Sequence, residues 1–225
     1  MIPLDQWTPR PRPGNAPLSG AVVRVEPIVD SGRFGELYES FTAPGGDTLW
    51  AYLPYGPFED RAAFESFAGT TYRTEDPLFH AIVPALSGKA EGVASLMRID
   101  PPNGVVEIGH ICLGPGLQGT RAATEAFYLL FRRVFEELGY RRLEWKCNDA
   151  NAPSKRAAER LGFTFEGLFR QHMIVKGANR DTAWYAILDS EWPAIAKGFE
   201  SWLAAENFDE AGRQRRSLAS FRTAA

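Results

Sequence analysis

The residues with the clearest chemical potential lie where a predicted strand gives way to a predicted helix, at positions 118–123. A helix that begins directly after a tight turn leaves its first backbone N–H groups without partners, and the positive end of its dipole lies at the same place. Gly119, Ala122 and Ala123 are small enough to let a phosphate approach these amides closely. Arg121 adds a charged donor. The stretch therefore predicts a site for a phosphate ester at the start of this helix.

These six residues resemble the Q/R-x-x-G-x-G/A pyrophosphate-binding turn of the GCN5-related N-acetyltransferase (GNAT) family, whose members use acetyl-coenzyme A. Arg121 stands where the family has its first glycine, and Ala123 occupies the closing Gly/Ala position. Three further motifs are similar to the second half of the family's domain, above all in its ribosomal-protein-acetylating branch. They are Asn151-Ala152-Pro153-Ser154, then Ala157-Ala158-Glu159-Arg160-Leu161-Gly162-Phe163, then Glu166-Gly167. The resemblance covers residues 21–189.

The resemblance implies an α+β fold, the acyl-CoA N-acyltransferase fold of this family. In that fold a central, mostly antiparallel sheet carries helices on both faces and is splayed between its two parallel middle strands. A β-bulge is the usual way to produce such a splay, and the backbone groups that it frees can bind a pantetheine arm like an added strand. The Gly114-Pro115-Gly116 break after the first middle strand is compatible with this geometry.

No cysteine and histidine residues have metal-ligand spacing, so no metal is expected. The resemblance implies where acetyl-CoA binds. The pyrophosphate would lie on the amides of the turn, Asn151 would hydrogen-bond the arm, and the Ser154 hydroxyl would protonate the leaving thiolate. Local sequence alone fits Asn151 as a helix N-cap and Ser154 as a polar first-turn residue. Lys155 and Arg156 either reach the 3′-phosphate or face water. The implied cofactor-binding residues are Ile111, Cys112, Leu113, Gln118, Gly119, Thr120, Arg121, Ala122, Ala123, Asn151, Ser154 and Arg156.

Acetylation of an amine needs a group that removes a proton from the amine, and the catalytic candidates are Glu107 and His110, with Ser154 as the acid. In several family members a carboxylate at the position of Glu107 relays a proton through water, although a salt-bridged strand-end residue is an equally ordinary role. His110 has an unperturbed pKa suited to this step, or is a buried structural histidine. His172 is a third candidate. Simple alternation puts Glu107, Gly109 and Ile111 on one face of the strand, and Ile108, His110 and Cys112 on the other.

The site of the amine acceptor is the least determined part of the prediction. Four aromatic residues could line it, although such a density is also typical of a core: Trp50, Tyr52, Tyr55 and Phe58. Four polar residues of a C-terminal hairpin could contact the acceptor or be solvated: Arg170, Lys176, Arg180 and Asp181. Cys112 and Cys147 are predicted to be core thiols.

Periodicity and turn signals predict the elements that position these residues. The predicted strands are residues 21–28, 77–83, 91–99, 107–113, 142–147, 163–175 and 181–188, with a strand or buried loop at 48–53. The predicted helices are residues 33–41, 59–68, 118–138, 154–161 and 191–203. The strands before residue 113 form an antiparallel meander. Because a helix crosses over between them, strands 107–113 and 142–147 should be parallel neighbours.

Composition limits the class of protein. A chain of 225 residues with 44% hydrophobic content is long enough for one well-packed domain, and a net charge of −3 gives no broad basic face for nucleic acid. The longest apolar runs are too short to span a membrane, and the first residues lack a secretory signal pattern. Two cysteines suit a reducing cytoplasm. We expect a proline-rich extended arm at 1–20, the acetyltransferase domain at 21–189, and a terminal helix with a solvated tail, Arg213 to Arg216, within 190–225.

The sequence therefore predicts an N-acetyltransferase that moves an acetyl group from acetyl-CoA to a primary amine by direct attack in a ternary complex. The acceptor is a protein N-terminal amine, as the ribosomal-protein branch implies, or else a small amine. Two alternatives stay open: a non-catalytic acyl-CoA-binding module on the same fold, and a transferase with a longer acyl donor. The arm and the terminal helix lie outside the predicted core and allow a homodimer.

Overall fold

The computed structural model describes residues 4–222. Its strands are Leu18–Ser19 (β1), Val23–Pro27 (β2), Leu78–Pro84 (β3), Gly92–Asp100 (β4), Val105–Leu113 (β5), Arg142–Asn148 (β6), Thr164–Val175 (β7) and Ala178–Leu188 (β8). Its α-helices are Phe34–Phe41 (α1), Arg61–Thr71 (α2), Arg121–Arg132 (α3), Ala152–Leu161 (α4), Trp192–Leu203 (α5) and Ala219–Arg222 (α6). Short 3₁₀ turns lie at Leu4–Gln6, Gly46–Thr48 and Ala205–Asn207.

The strands form one eight-stranded mixed sheet in the order β1-β2-β3-β4-β5-β6-β8-β7. The strands from β1 to β5 are antiparallel neighbours, which confirms the predicted meander. Strand β6 runs parallel to β5 because α3 carries the chain back over the sheet between them. The β7–β8 hairpin then closes the sheet beside β6. The predicted α+β fold, with its parallel middle pair, is confirmed.

The two parallel strands separate after a short paired segment, which is the predicted splay. Pairing runs only from Val105 with Arg142 to Glu107 with Glu144, although β5 continues for six residues beyond this point. On its other edge, β5 carries an extra residue relative to β4, and His110 there has a φ of +48°. This is a β-bulge, which bends the strand away from its neighbour. The result is a wedge-shaped opening between the two strands.

The same bulge corrects the predicted alternation along β5. Before the bulge, Val106 and Ile108 face the core under α3, so Glu107 lies on the opposite face. Beyond it, Ile111 packs on the α3 side, whereas Cys112 joins the core under α1 and α2. The extra residue shifts the side-chain period by one, and Ile111 therefore does not share a face with Glu107 as expected. His110 lies on the face of Glu107, since its ring contacts Phe79 of that core.

Helices cover both faces of the sheet, each over its own apolar core. Helices α3, α4 and α5 cover one face, and α1 and α2 cover the other. Helix α3 buries the predicted apolar face with Phe127, Leu130 and Phe131, continues as a π-helical turn at Arg133–Glu137, and ends at Gly139 with φ of +68°. The α1–α2 core covers β2 to β5 only, so the same face of β6, β8 and β7 is left open beside it.

The parts of the arm and of the tail that the structure describes pack on the body of the protein. Trp7 donates its indole N–H to the carbonyl of Pro102 at 2.7 Å, and Leu18 at the end of the arm forms part of β1 and is buried. At the other end, Gln214 accepts a hydrogen bond from the Trp202 indole at 2.8 Å, and Leu218 is buried. The tail is thus only partly solvated, because apolar residues on both sides of the arginines hold it against α5. None of the described helices is long and apolar enough to cross a membrane.

Candidate active site

The predicted phosphate turn, residues 118–123, presents free backbone donors. Gly119 has a φ of +71°, a conformation that favours glycine, and a Cβ added there would meet nothing within 4 Å. Thr120 is the N-cap of α3, and its hydroxyl accepts from the Ala123 N–H at 3.1 Å. Within residues 4–222, the backbone N–H groups of Gly119, Arg121 and Ala122 have no hydrogen-bond partner. Three donors therefore lie at the positive end of a helix dipole, as an anion site requires.

The Arg121 side chain is not at this anion site, which corrects the expectation that its charge contributes there. Its guanidinium donates to the carbonyl of Leu203, at the C-terminal end of α5, and lies 4.5 Å from the centre of the Phe208 ring. A helix C-terminus carries partial negative charge, so it is a favourable partner for this cation. Gln118 is also engaged, because its side-chain amide donates to the Leu113 carbonyl at 2.9 Å. The turn therefore offers backbone rather than side-chain donors.

Asn151 and Ser154 lie directly after β6, beside the opening of the splay. The Asn151 Oδ1 accepts from the Ser154 backbone N–H at 3.1 Å, which confirms the capping role and leaves the Nδ2 hydrogens as donors. The Ser154 hydroxyl accepts from the Trp145 indole N–H at 3.0 Å, so its own hydrogen is available to donate. Lys155 is paired with Asp149 at 2.8 Å, whereas Arg156 is exposed.

Glu107 lies in the fork of the splay and is only 4% exposed. Its Oε2 accepts from Arg98 Nη1 at 2.6 Å and is 2.9 Å from Lys146 Nζ. The prediction that Glu107 forms a salt bridge is therefore confirmed. The ammonium of Lys146 also contacts Glu144 at 2.8 Å and sits 3.9 Å from the centre of the Trp184 ring. Arg98 and Lys146 thus hold the Glu107 carboxylate at the base of the opening, and the Trp184 ring packs against the Lys146 ammonium.

These contacts belong to a longer run of alternating charges, which we call the charge cluster. Each member contacts the next, and the three cations and three carboxylates are Arg98, Glu107, Lys146, Glu144, Arg142 and Glu166. Burial alone would raise the pKa of Glu144, but Lys146 and Arg142 outweigh it and lower that pKa. Arg98 and Lys146 were missed from the sequence. The alternation of Arg142, Glu144 and Lys146 on one face of β6 was the available signal.

His110 is stacked on Tyr55, with ring centres 5.6 Å apart and an angle of 12° between the planes. Its Nδ1 is 3.3 Å from the Tyr55 hydroxyl. Burial, reinforced by the charges of Arg98 and Arg180, lowers the pKa of His110 to about 4. The imidazole is therefore neutral at pH 7. His172 lies elsewhere, on β7, where its Nδ1 is 3.0 Å from the Thr182 hydroxyl.

The aromatic residues expected near the acceptor divide between core and surface. The region proposed as a strand or buried loop is a loop that follows the 3₁₀ turn at Gly46–Thr48. Trp50 and Phe58 pack edge to face in the α1–α2 core, with ring centres 5.2 Å apart. Tyr52 donates to the carbonyl of Ala150 at 3.0 Å, and the Lys176 ammonium donates to the carbonyl of Trp50 at 2.8 Å. These two bonds fasten the loop to the β6–α4 connection and to the hairpin.

The two cysteine thiols are core residues and have no chemical role at this site. Cys112 and Cys147 are both buried and unbonded to one another, as predicted for core thiols. Burial raises the pKa of the Cys112 thiol to about 12, so it is not a thiolate at neutral pH. Within residues 4–222, no group of histidine, cysteine, aspartate and glutamate side chains is arranged to hold a metal ion.

Known proteins are similar to this chain in sequence and in fold. Residues 35–164 match the family model described as Acetyltransferase (GNAT) domain. The crystal structure of a GCN5-related N-acetyltransferase from Brucella melitensis is 49% identical and superposes with a TM-score of 0.96, covering 98% of this chain and 100% of that one. A probable acetyltransferase of the GNAT family from Chromobacterium violaceum is 39% identical, with a TM-score of 0.78 over 86% of this chain and 96% of that one.

Among curated proteins, the "Putative ribosomal N-acetyltransferase YdaF" of Bacillus subtilis is 32% identical over 105 residues, which is 47% of this chain and 57% of that protein. The chain spans about half the length of the curated relatives that it matches. The family model spans more than half of the chain, and the Brucella structure covers nearly all of it. This chain belongs to the GCN5-related N-acetyltransferase (GNAT) family.

Proposed function

We propose that the protein transfers an acetyl group from acetyl-CoA to a primary amine. The observation that carries this proposal is the set of three unpartnered amides, at Gly119, Arg121 and Ala122, placed beside the open strand ends of the splay. Amides at a helix start suit the pyrophosphate, and the unpaired edges of β5 and β6 suit the amide groups of the pantetheine arm. Nδ2 of Asn151 would donate to the same arm, and the exposed Arg156 would reach the 3′-phosphate.

The residues around the fork suit direct attack in a ternary complex. The neutral amine nitrogen forms a bond to the acetyl carbon while the bond from that carbon to sulfur breaks. The amine proton passes through water to Glu107, whose contacts with Arg98 and Lys146 are made to Oε2 and leave Oε1 for the water. The Ser154 hydroxyl gives its proton to the departing thiolate and is reprotonated from solvent water. Burial lowers the pKa of His110 to about 4, so this imidazole does not have the near-neutral pKa that made it a candidate base.

Ligand-linked stabilisation and turnover together test this function. Saturating acetyl-CoA should raise the melting temperature of the protein, since a ligand that binds only the native state stabilises it. Incubation with acetyl-CoA and a panel of primary amines should release free thiol and give an N-acetylated product of the expected mass. The absence of any shift in melting temperature, together with no calorimetric binding, would refute the proposal.

The alternative of a non-catalytic acyl-CoA-binding module is favoured by one observation: Glu107 is held by two cations and is not free in the cleft. Binding of acetyl-CoA without transfer to any amine would support that alternative. A second alternative is that the protein uses a longer acyl donor than acetyl-CoA. Comparison of kcat/KM for acyl-CoA thioesters of increasing chain length would test it.

The acceptor, compartment and assembly are further proposals. The name of the Bacillus subtilis relative supports a ribosomal or other protein N-terminal amine, and a small amine is the other class. Two buried free thiols support a reducing cytoplasm. A homodimer would form most readily along β7, the edge strand, where Phe165, Phe169 and Ile174 are exposed. Light scattering on the purified protein would test the dimer.

A further inference from the structure

Arg180 lies at the open end of the splay, on the same face of the sheet as the charge cluster. In β8, Ala183 and Tyr185 face the α3-side core, so Trp184, Thr182 and Arg180 point to the opposite face. Trp184 pairs with Lys146 and Thr182 with Asn148, the last residue of β6, which puts Arg180 just past the end of that strand. Strand register thus brings a guanidinium to the mouth of the cleft.

Among the described residues, no carboxylate contacts the guanidinium of Arg180. The charge cluster balances its own three cations with its three carboxylates. Within the described part of the chain, Arg180 makes no ion pair, and its Nε is buried with no hydrogen-bond partner. Burial lowers the pKa of Arg180, while the charge of Glu107 acts on it in the opposite direction. A half-buried cation without a partner is costly, and a ligand anion would remove that cost.

We propose that the amine acceptor carries a carboxylate, which Arg180 binds while the amine reaches the water held by Glu107. This inference rests on the proposed acetyltransferase function and names the class of its acceptor. A guanidinium presents paired N–H groups that match a carboxylate, so Arg180 would fix both the position and the orientation of the acceptor. In this acceptor only a few bonds separate the carboxylate from the amine, as in a free amino acid or in an acidic residue at a peptide N-terminus.

The phosphates of the donor are a less suitable partner for Arg180. The phosphate turn begins beyond Leu113, three residues past His110 on β5, which is about 10 Å along the strand. Arg180 lies on the face of the sheet that carries Glu107, whereas Leu117 and Ala123 at the two ends of the turn pack into the core under α3 on the other face. The donor anions and the Arg180 anion therefore belong to two different regions of the cleft.

Matched pairs of amines test the inference directly. Free amino acids with the amine one, two or three carbons from the carboxylate would be compared with the same compounds as carboxamides, in the wild-type protein and in Arg180→Gln. We expect a kcat/KM about 10- to 100-fold higher for carboxylates than for carboxamides in the wild type, and loss of that preference in the variant. A short peptide with an N-terminal acidic residue, compared with its amide form, distinguishes a peptide source from a free amino acid.

Arg215→Gln is the matched control, because it removes an exposed guanidinium from the tail beside α5, away from the cleft. It should keep the wild-type preference, and both variants should bind acetyl-CoA with unchanged affinity by calorimetry. Equal use of carboxylates and carboxamides by the wild type, or no transfer to any carboxylate-bearing amine, would overturn the inference even if acetyl-CoA binds. A loss of acetyl-CoA affinity in Arg180→Gln would also overturn it. Failure of the wild type to bind acetyl-CoA would instead refute the proposed function on which it rests.

Discussion

The two sides of the cleft are built from different parts of the polypeptide. The phosphate turn offers backbone amides of neighbouring residues, while the Arg121 and Gln118 side chains are directed elsewhere. The acceptor side consists of side chains from β4, β5, β6, β7 and β8: the charge cluster, whose last member Glu166 lies on β7, and Arg180 of β8 beside it. The first region is local in sequence and tolerant of residue type. The second depends on the register of five strands.

This difference teaches why the donor can be inferred more readily than the acceptor. Any helix start with small residues can present amides to a phosphate, so a six-residue stretch is sufficient to indicate it. The acceptor side needs residues that are more than eighty positions apart in the chain, such as Arg98 and Arg180, to meet over one face. Substitutions in the phosphate turn should therefore change the affinity for the donor, whereas substitutions on the acceptor side should change turnover.

Replacement of Glu107 by Gln should have the largest effect. Removal of a general base costs about 10²- to 10⁴-fold in rate, so kcat should fall at least about 100-fold while the affinity for acetyl-CoA is retained. Steady-state kinetics and calorimetry measure the two quantities. Glu144→Gln is the control, because Glu144 contacts the same Lys146 ammonium but lies one strand away from the bulged β5.

Both variants should lose stability, and only Glu107→Gln should lose most of its turnover. If Glu107→Gln keeps its kcat within about threefold of the wild type, the base lies elsewhere on the acceptor side. In that case the charge cluster only stabilises the fold, and it does not supply the base for acetyl transfer.

A fall in pH should destabilise the protein through the buried His80 and the half-buried His110. The pKa values of His80 and His110 are both lowered to about 4 from an ordinary value of 6.5, chiefly by burial and then by arginine charges. Between these values the unfolded chain binds more protons than the folded one, so stability present above pH 6.5 is lost as the pH falls towards 4. The loss should be about 2 kcal/mol per histidine between pH 7 and pH 5. Urea unfolding at the two pH values measures it.

His110→Asn provides the internal check on this second prediction. The variant should show about half of the wild-type loss between pH 7 and pH 5, because only His80 remains with a lowered pKa. Acetyl-CoA binding should change little over the same interval, since the amides of the phosphate turn do not titrate. An unchanged pH dependence in the variant would show that His110 is not buried as a neutral imidazole.

Two substitutions at Asn151 should have the smallest effect and separate its two roles. Asn151→Asp keeps an oxygen that caps α4, so its melting temperature should stay near that of the wild type, whereas its KM for acetyl-CoA should rise several-fold as the Nδ2 donor is lost. Asn151→Ala removes the cap as well and should cost about 1 kcal/mol of stability. If the aspartate variant has an unchanged KM, Asn151 is only a cap.

Much of the fold was accessible from the sequence because it depends on local patterns. The meander, the long amphipathic α3 and the closing hairpin follow from periodicity and from Gly139 and Gly162 at helix ends. The parallel pairing of β5 and β6 follows from the crossover between them. These features are set by residues close in the chain, and the structure confirms them.

The remainder was inaccessible for physical reasons that lie in tertiary contacts. The bulge rests on a positive φ at His110, which no residue type announces, and it reverses the side-chain faces beyond it. The partner of Arg121 is the end of a helix some eighty residues later, at Leu203. The position of the N-terminal arm likewise depends on the strand pairing of Leu18 with Val25 and on the hydrogen bond from the Trp7 indole to the Pro102 carbonyl.

The central claim, that backbone amides at the start of α3 hold the donor's pyrophosphate, can be tested at one residue. Arg121→Pro removes the N–H at the first helical position, where proline fits because Thr120 before it is extended, with ψ of 164°. Arg121→Ala removes the side chain and keeps the N–H. Calorimetric titration with acetyl-CoA should show affinity about 10- to 100-fold weaker in Arg121→Pro and nearly unchanged in Arg121→Ala. Equal weakening in both variants, or none in either, would contradict the claim.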